Sequence, residues 1–200
     1  MKRWTWIGVD LGQRRDFTAI AVVERDWEQF PVPEFIRTGV DGRWWFRVRM
    51  LERLRLGTPY PDVVQRVKYI SEMPLIALNR TVVVDGTGVG APVVDMLRRA
   101  GMGCMIHPVI ITGGTHPSTG LNGGYESVPR SELLTAMQVL VQQDRLVVAA
   151  RCKEAGNLKK EMLGLKLKGP GSEQHDDLAI ALALAVWKAR AGVVIPEGRR

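Results

Sequence analysis

The sequence predicts an α/β fold: a mixed sheet, antiparallel in its first strands and parallel in its later ones, flanked by helices on both faces. Two observations carry this. Apolar runs over 4–10 and 17–24 are joined by Leu11-Gly-Gln-Arg-Arg-Asp16, a polar connection of hairpin type. From residue 61 onward, helical stripes alternate with short apolar strands of the kind found in buried parallel sheets.

The elements follow in order. A third strand is expected within 34–40 and another within 44–50, where Trp44, Phe46, Val48 and Met50 alternate with arginines. Pro59 and Pro61 introduce a helix over 61–73 with Val63, Val64, Val67 and Ile70 on one stripe. Residues 81–85 form a buried strand, and Gly86 to Pro92 lead into a helix over 92–100. A strand returns over 103–111. Thr112 to Val128 is rich in glycine and lacks hydrophobic periodicity, so it is expected to be a long functional loop. A helix over 131–143 turns Leu133, Leu134, Met137, Leu140 and Val141 inward, and 145–149 is a short edge strand. A basic amphipathic helix over 152–165, a break at Gly169-Pro-Gly-Ser172 and a final helix over 176–190 complete one domain, 1–200.

Composition narrows the function. Hydrophobic residues are 46% and charged residues 24%, which excludes wholesale disorder. The net charge of +7 points to a polyanionic partner, nucleic acid before membrane. The one long apolar run, Leu178 to Trp187, is too short to span a bilayer. The N-terminus has no signal-peptide core, so a cytoplasmic location is expected, with no membrane partner. Cys104 and Cys152 are expected to be free thiols.

Acids at strand ends carry the chemistry. Asp10 ends a strand after Trp-Ile-Gly-Val, Asp85 ends another after Thr-Val-Val-Val, and Asp176 and Asp177 open the apolar final helix. A buried, unpaired carboxylate costs several kcal/mol or more, so core packing does not explain them. Each alone has a local explanation: an Asx-turn at Asp10, a turn cap at Asp85, a helix cap at Asp176 or Asp177. Together they form a cage for hard divalent cations. Two ions about 4 Å apart would clamp the attacking and departing oxygens of a phosphodiester. Asp10, at the centre, is the expected bridging ligand, and Asp176 is slightly preferred over Asp177 as the direct ligand. His175 beside the pair is read as a capping or hydrogen-bonding residue. Asp16 is read as a turn or surface residue.

At these residues the chain resembles the nuclease domain of the large terminase subunit of tailed phages, a ribonuclease-H-like fold. The matching stretches are Ile7-Gly-Val-Asp-Leu-Gly12 with Asp16-Phe-Thr-Ala-Ile20, Val82-Val-Val-Asp-Gly-Thr-Gly-Val-Gly90, and His175-Asp-Asp-Leu-Ala-Ile-Ala-Leu-Ala183. Val128-Pro-Arg-Ser-Glu-Leu-Leu134 and the basic helix also look like later segments of that family. The resemblance implies endonucleolytic cleavage of double-stranded DNA dependent on two Mg²⁺ or Mn²⁺ ions. It carries over Asp10, Asp85, Asp176 and Asp177 as catalytic and metal-binding residues. It implies a bacterial host's cytoplasm if the chain is phage-encoded. Packaging terminases also carry an ATPase, and no GxxxxGK[ST] phosphate loop occurs here. The chain is therefore expected to be either an isolated nuclease domain or a stand-alone relative; these residues do not support packaging itself, and a separate packaging ATPase or other terminase components are partners that the resemblance leaves open.

Holding DNA requires cations. Lys159, Lys160, Lys166 and Lys168 on or after the basic helix, and Arg14 and Arg15 beside Asp10, are expected to contact phosphates. So are Arg43, Arg47 and Arg49 on their strand. The Gly-rich loop, with His116 and Asn122, is the expected DNA-contacting flap. Trp44 and Trp45 are read as sheet packing rather than base stacking. Three alternatives remain open: a Holliday-junction resolvase with a similar carboxylate set, an actin/hexokinase-like ATPase using Asp10-Leu-Gly12 and Asp85-Gly-Thr-Gly88, and a non-catalytic DNA-binding protein.

Overall fold

The computed structural model of the chain describes residues 4–12, 16–29, 42–76, 79–88, 90–114, 116, 118–121, 124–165 and 175–191. The expected strand over 34–40, Arg14, Arg15, Asn122, Lys166, Lys168 and the break at 169–172 lie outside them.

The first three strands are β1 (Trp4–Asp10), β2 (Ala19–Gln29) and β3 (Gly42–Arg53), with β2 antiparallel to both β1 and β3. The next two, β4 (Asn79–Asp85) and β5 (Met105–Thr112), pair parallel to β1 and to each other. The expected loop over 112–128 is corrected: it folds into β6 (Ser118–Leu121) and β7 (Tyr125–Pro129), an antiparallel pair whose β7 runs parallel to β5. Pairing with an existing sheet edge satisfies backbone groups without any hydrophobic period, which is why the pattern hid them. A three-residue strand, β8 (Leu146–Val148), closes the opposite edge against β3. The sheet order is β6-β7-β5-β4-β1-β2-β3-β8.

Helices cover both faces, as expected. On one face lie α1 (Tyr60–Ser71) and α2 (Gly90–Arg99), packed on Ile7, Val9, Ile20, Val22, Val82 and Val84. On the other lie α3 (Arg130–Gln142), α4 (Ala155–Leu165) and α5 (Asp177–Arg190), packed on Trp6, Ala21, Val23, Val83 and Val109. Alternate residues of a strand face opposite sides, so residues 6–9 of β1 and 82–84 of β4 are unbroken runs without a polar side chain because both sides are covered. The all-round apolarity of α5 has the same origin. It lies on β1 and β2 with α3 and α4 against it, and Leu178 through Val186 are all buried.

Gly8 sets how closely α5 approaches. A Cβ built there would stand 1.9 Å from the carbonyl oxygen of Ala181, so helix backbone rests directly on strand backbone. Ala181 and Ala185 of α5 lie at this contact. Among the described residues no helix is long and apolar enough to cross a membrane. Both cysteines are free thiols, half-buried.

Candidate metal centre

Strand register brings the acids together. Trp6 and Val83 face α5, and alternation turns Asp10 and Asp85 to that same side. Val9 of β1 lies opposite Val84 of β4, so each acid stands one residue beyond the last paired position, at the carboxyl ends of adjacent strands. Open α/β sheets place their sites at such ends. Across the sheet, Asp10 pairs with Ala19 and Ala19 with Arg53, which carries a guanidinium to the same end. Because α5 starts above this row, Asp176 and Asp177 arrive from the third side.

Asp10 is held well above the usual carboxylate range, first by desolvation and then by the charges of Asp85, Asp177 and Asp176, with Arg130 opposing them. Asp85 is also raised, by burial, against hydrogen bonds from Thr87. The backbone N–H of Thr87 donates to Asp85 Oδ1 at 2.8 Å, and the Thr87 hydroxyl accepts from Ile111 N–H at 2.9 Å. The turn cap that offers Asp85 a local explanation is therefore present. It orients the carboxylate and leaves the second oxygen's role to the site.

The helix pair divides its work. Asp176 is the N-cap residue of α5 but makes no side-chain cap; it forms an ion pair with Arg130, the first residue of α3. Asp177 is buried, its pKa is raised by burial, and its Oδ2 has no hydrogen-bond partner among the described residues. Arg53 Nε stands 3.8 Å away and His175 Nδ1 3.9 Å away, both beyond hydrogen-bond length. The two acids differ in surroundings: Asp176 is engaged by a guanidinium, and the buried oxygen without a hydrogen-bond partner belongs to Asp177.

Several contributors escaped the sequence reading. Asp16, read there as a turn or surface residue, lies with His175 and Asp177 so that one ligand atom from each falls within 4.8 Å of the others. The chain returns toward β2 through Gly12, whose N–H donates to Thr18 Oγ1 at 3.1 Å, and this fold-back brings Asp16 to the site. The His175 ring sits edge-on to Phe17, with centroids 5.3 Å apart. Glu161 of α4 accepts a hydrogen bond from Ala179 N–H at 2.9 Å, capping α5 from outside, and pairs with Arg53. Burial raises Glu161 to about 7. Its signal was an acid on the stripe of Leu158 and Leu165, hidden by the basic character of the helix. Arg53 had no sequence signal, and Arg130 lay in a stretch noted for its resemblance but was given no role, since strand-end and helix-start arginines are commonly solvated.

The expected basic contacts sort differently. Lys159 and Lys160 are exposed on α4, and His116 is exposed between β5 and β6. Arg43, Arg47 and Arg49 are corrected: they pair with Glu28, Asp26 and Glu24 across the β2–β3 ribbon. Trp44 packs against the core and edge-on to Trp27, while Trp45 donates to Glu28 beneath Arg43, in keeping with the packing reading.

Around Asp10, carboxylates outnumber guanidinium groups, and a deeply buried oxygen lacks a donor. Hard divalent cations fit such an all-oxygen set, with one imidazole at its margin. No family model matches the sequence, and no curated protein matches it. Solved structures do. The chain is similar to the large terminase nuclease from thermophilic phage G20c, with 20% identity, a TM-score of 0.52, and coverage of 92% of this chain and 81% of that one. It is similar to the human cytomegalovirus terminase nuclease domain in a Mn-soaked form, with 13% identity, a TM-score of 0.55, and coverage of 91% and 81%. A second structure of that domain gives 13% identity, a TM-score of 0.53, and coverage of 92% and 82%. The chain has the ribonuclease-H-like fold of these terminase nuclease domains.

Proposed function

We propose that the chain is a metal-dependent endonuclease that hydrolyses phosphodiester bonds of double-stranded DNA, using two Mg²⁺ or Mn²⁺ ions. The observation that carries this reading is the crowding of Asp10 by Asp85, Asp177 and Asp176 at the carboxyl ends of adjacent strands, in a desolvated corner with Arg130 opposing them. Such a group demands protons or cations, and at neutral pH cations serve.

In this reading Asp10, Asp85 and Asp177 would together hold the ions. Asp176, restrained by Arg130, acts at the margin, and His175 and Asp16 complete the Asp177 side. Bound divalent ions supply an activated water and neutralise charge on the departing oxygen. The protein's own side chains do the positioning. Thr87 N–H fixes the Asp85 carboxylate, and Arg53 with Glu161 fixes the first turn of α5. Exposed Lys159 and Lys160 hold phosphates without reading sequence, and the proposal extends the same role to His116, Arg14, Arg15, Lys166 and Lys168. The terminase likenesses support the reading through fold, and the Mn-soaked cytomegalovirus domain through its ion. Other terminase components, a separate packaging ATPase among them, are the proposed partners.

The test is supercoiled plasmid incubated with Mn²⁺, Mg²⁺ or EDTA. Nicked and linear products are expected with either metal and none with chelator. Asp10→Asn and Asp85→Asn should bind DNA at least as well as wild type while losing cleavage. Wild-type cutting rates in either variant would remove that residue from the metal set.

A further inference from the structure

A groove of ≈ 320 Å³ runs along the outer edge of β3, outside the carboxylate centre. It exists because β8 is short. β8 pairs with β3 only from Phe46 to Val48, and Ala149 N–H makes a last bond to Val48 O at 3.0 Å. Beyond that point Cys152 sits against the strand instead, its thiol 3.8 Å from the Val48 carbonyl, and the chain turns away. The space left is lined by Arg49 and Arg53 of β3, Arg66 of α1, and Arg151 and Lys153 after β8.

The charges in this groove are of two kinds. Arg66 is held by Glu52 through three hydrogen bonds of 2.9–3.0 Å, and Arg49 gives its Nε–H to Glu24. These pairs fix the walls, and each guanidinium has more donors than its acid takes from one side. Arg151 and Lys153 are different. Both are exposed, and among the described residues no ion pair engages either. Of the acids in the lining, Glu52 is taken by Arg66, and Glu154 accepts from Asn157 at 2.8 Å. An anion entering here meets cations first.

Arg53 makes the groove continuous with the carboxylate centre, since it lines the groove and also stands 3.8 Å from Asp177. We propose that this groove is a backbone-binding tract for nucleic acid: it carries the phosphates of the strand leading away from the cleavage point, with Arg151 and Lys153 as direct phosphate contacts. This inference rests on the nuclease reading above and adds a substrate path to it. The groove's lining carries five cationic side chains against two acids. It suits a chain of evenly spaced anions, which an arginine-lined channel holds by charge without reading sequence.

The experiment measures binding of a fluorescent DNA duplex by anisotropy in Ca²⁺ over a salt series, for wild type and for an Arg151→Gln/Lys153→Gln variant. Losing two phosphate contacts should reduce the slope of log K against log salt by about 1.8 and, with affinities converging at 1 M salt, weaken binding about 60-fold at 0.1 M. Hydrolysis of bis(p-nitrophenyl) phosphate in Mn²⁺ should be unchanged, because a single phosphodiester cannot span the groove, and the melting temperature should stay at the wild-type value. An Arg98→Gln/Arg99→Gln variant at the end of α2 removes the same charge elsewhere and should keep most of the affinity. Equal losses in both variants, or wild-type affinity and slope in the groove variant, would overturn the tract while wild-type cleavage left the nuclease reading intact. A wild-type protein that neither binds nor cuts DNA would end both.

Discussion

Two ends of one sheet handle the same residue types in opposite ways. On the β2–β3 ribbon, beside the start of β1, Glu24 faces Arg49, Asp26 faces Arg47 at 2.9 Å, and Glu28 faces Arg43 at 3.0 Å. Every acid there has its own guanidinium, and the set is electrically complete. At the carboxyl end of β1 and β4, Asp10 has acids for neighbours, and the guanidinium groups of Arg53 and Arg130 are committed to Glu161 and Asp176. The first arrangement is stable as it stands. The second leaves desolvated like charges facing one another, so protons or cations stabilise it, and this distinguishes it from the charge ladder.

The largest expected contrast comes from neutralising one acid at each end. Asp10→Asn should lower plasmid cleavage by more than about 100-fold, beyond the 10–100-fold cost of losing a group that merely supports a ligand. It should also raise the melting temperature of the metal-free protein, because a repelled, desolvated charge disappears. A metal-free melting temperature below that of wild type would show that Asp10 is compensated in some other way, and the contrast between the two ends would collapse.

Gly8→Ala tests the packing that holds the reactive end together. The added methyl meets the Ala181 carbonyl and must push α5 off β1. Overpacking of this kind costs about 1–3 kcal/mol. Because Asp177 rides on α5 and Asp10 on β1, cleavage should fall with stability, and urea melts together with plasmid assays would show both. A stable variant with full activity would mean that the approach of helix to strand does not set the site.

pH should distinguish the ends without any mutation. Asp10, Asp85, Asp177 and Glu161 are all raised, so the folded state binds their protons more tightly than the unfolded chain does. Their contribution to stability is complete below the unfolded values and is lost as pH rises. For Glu161 that window runs from 4.5 to about 7. Chelated protein should therefore melt at progressively lower temperature across this range, and Mn²⁺ should restore most of the loss at its upper end. A melting temperature that rises with pH in EDTA would contradict the crowding of the carboxylates.

The smallest effect belongs to the ladder. Asp26→Asn removes one partner of a half-exposed pair, and about 0.2–1 kcal/mol is expected in urea denaturation, with cleavage unchanged. A loss of cleavage here would mean that the ribbon takes part in the reaction.

The alternation of apolar and polar positions, the two turns and the buried parallel strands were written in the chain itself. They determined a mixed sheet with helices on both sides and put Asp10, Asp85 and the Asp176–Asp177 pair at element ends. These are local properties: a strand or helix declares itself through a period of two or 3.6 residues, and an acid at its end breaks that period visibly. Where no period existed, as in 112–128, a strand pair went unseen, because its hydrogen bonds come from the neighbouring sheet edge.

Tertiary structure alone decided which charges meet. Arg43, Arg47 and Arg49 looked free to hold phosphate until β2 supplied an acid opposite each one. Arg53, Arg130, Glu161 and Asp16 looked ordinary until the sheet row, the start of α3, the inner face of α4 and the fold-back through Gly12 delivered them to α5. Electrostatic partnership depends on distance in space and on the local dielectric, and neither is encoded by spacing along the chain. The sequence therefore determined the elements and the acids at their tips, and only folding decided that Asp177 rather than Asp176 would keep an oxygen without a donor.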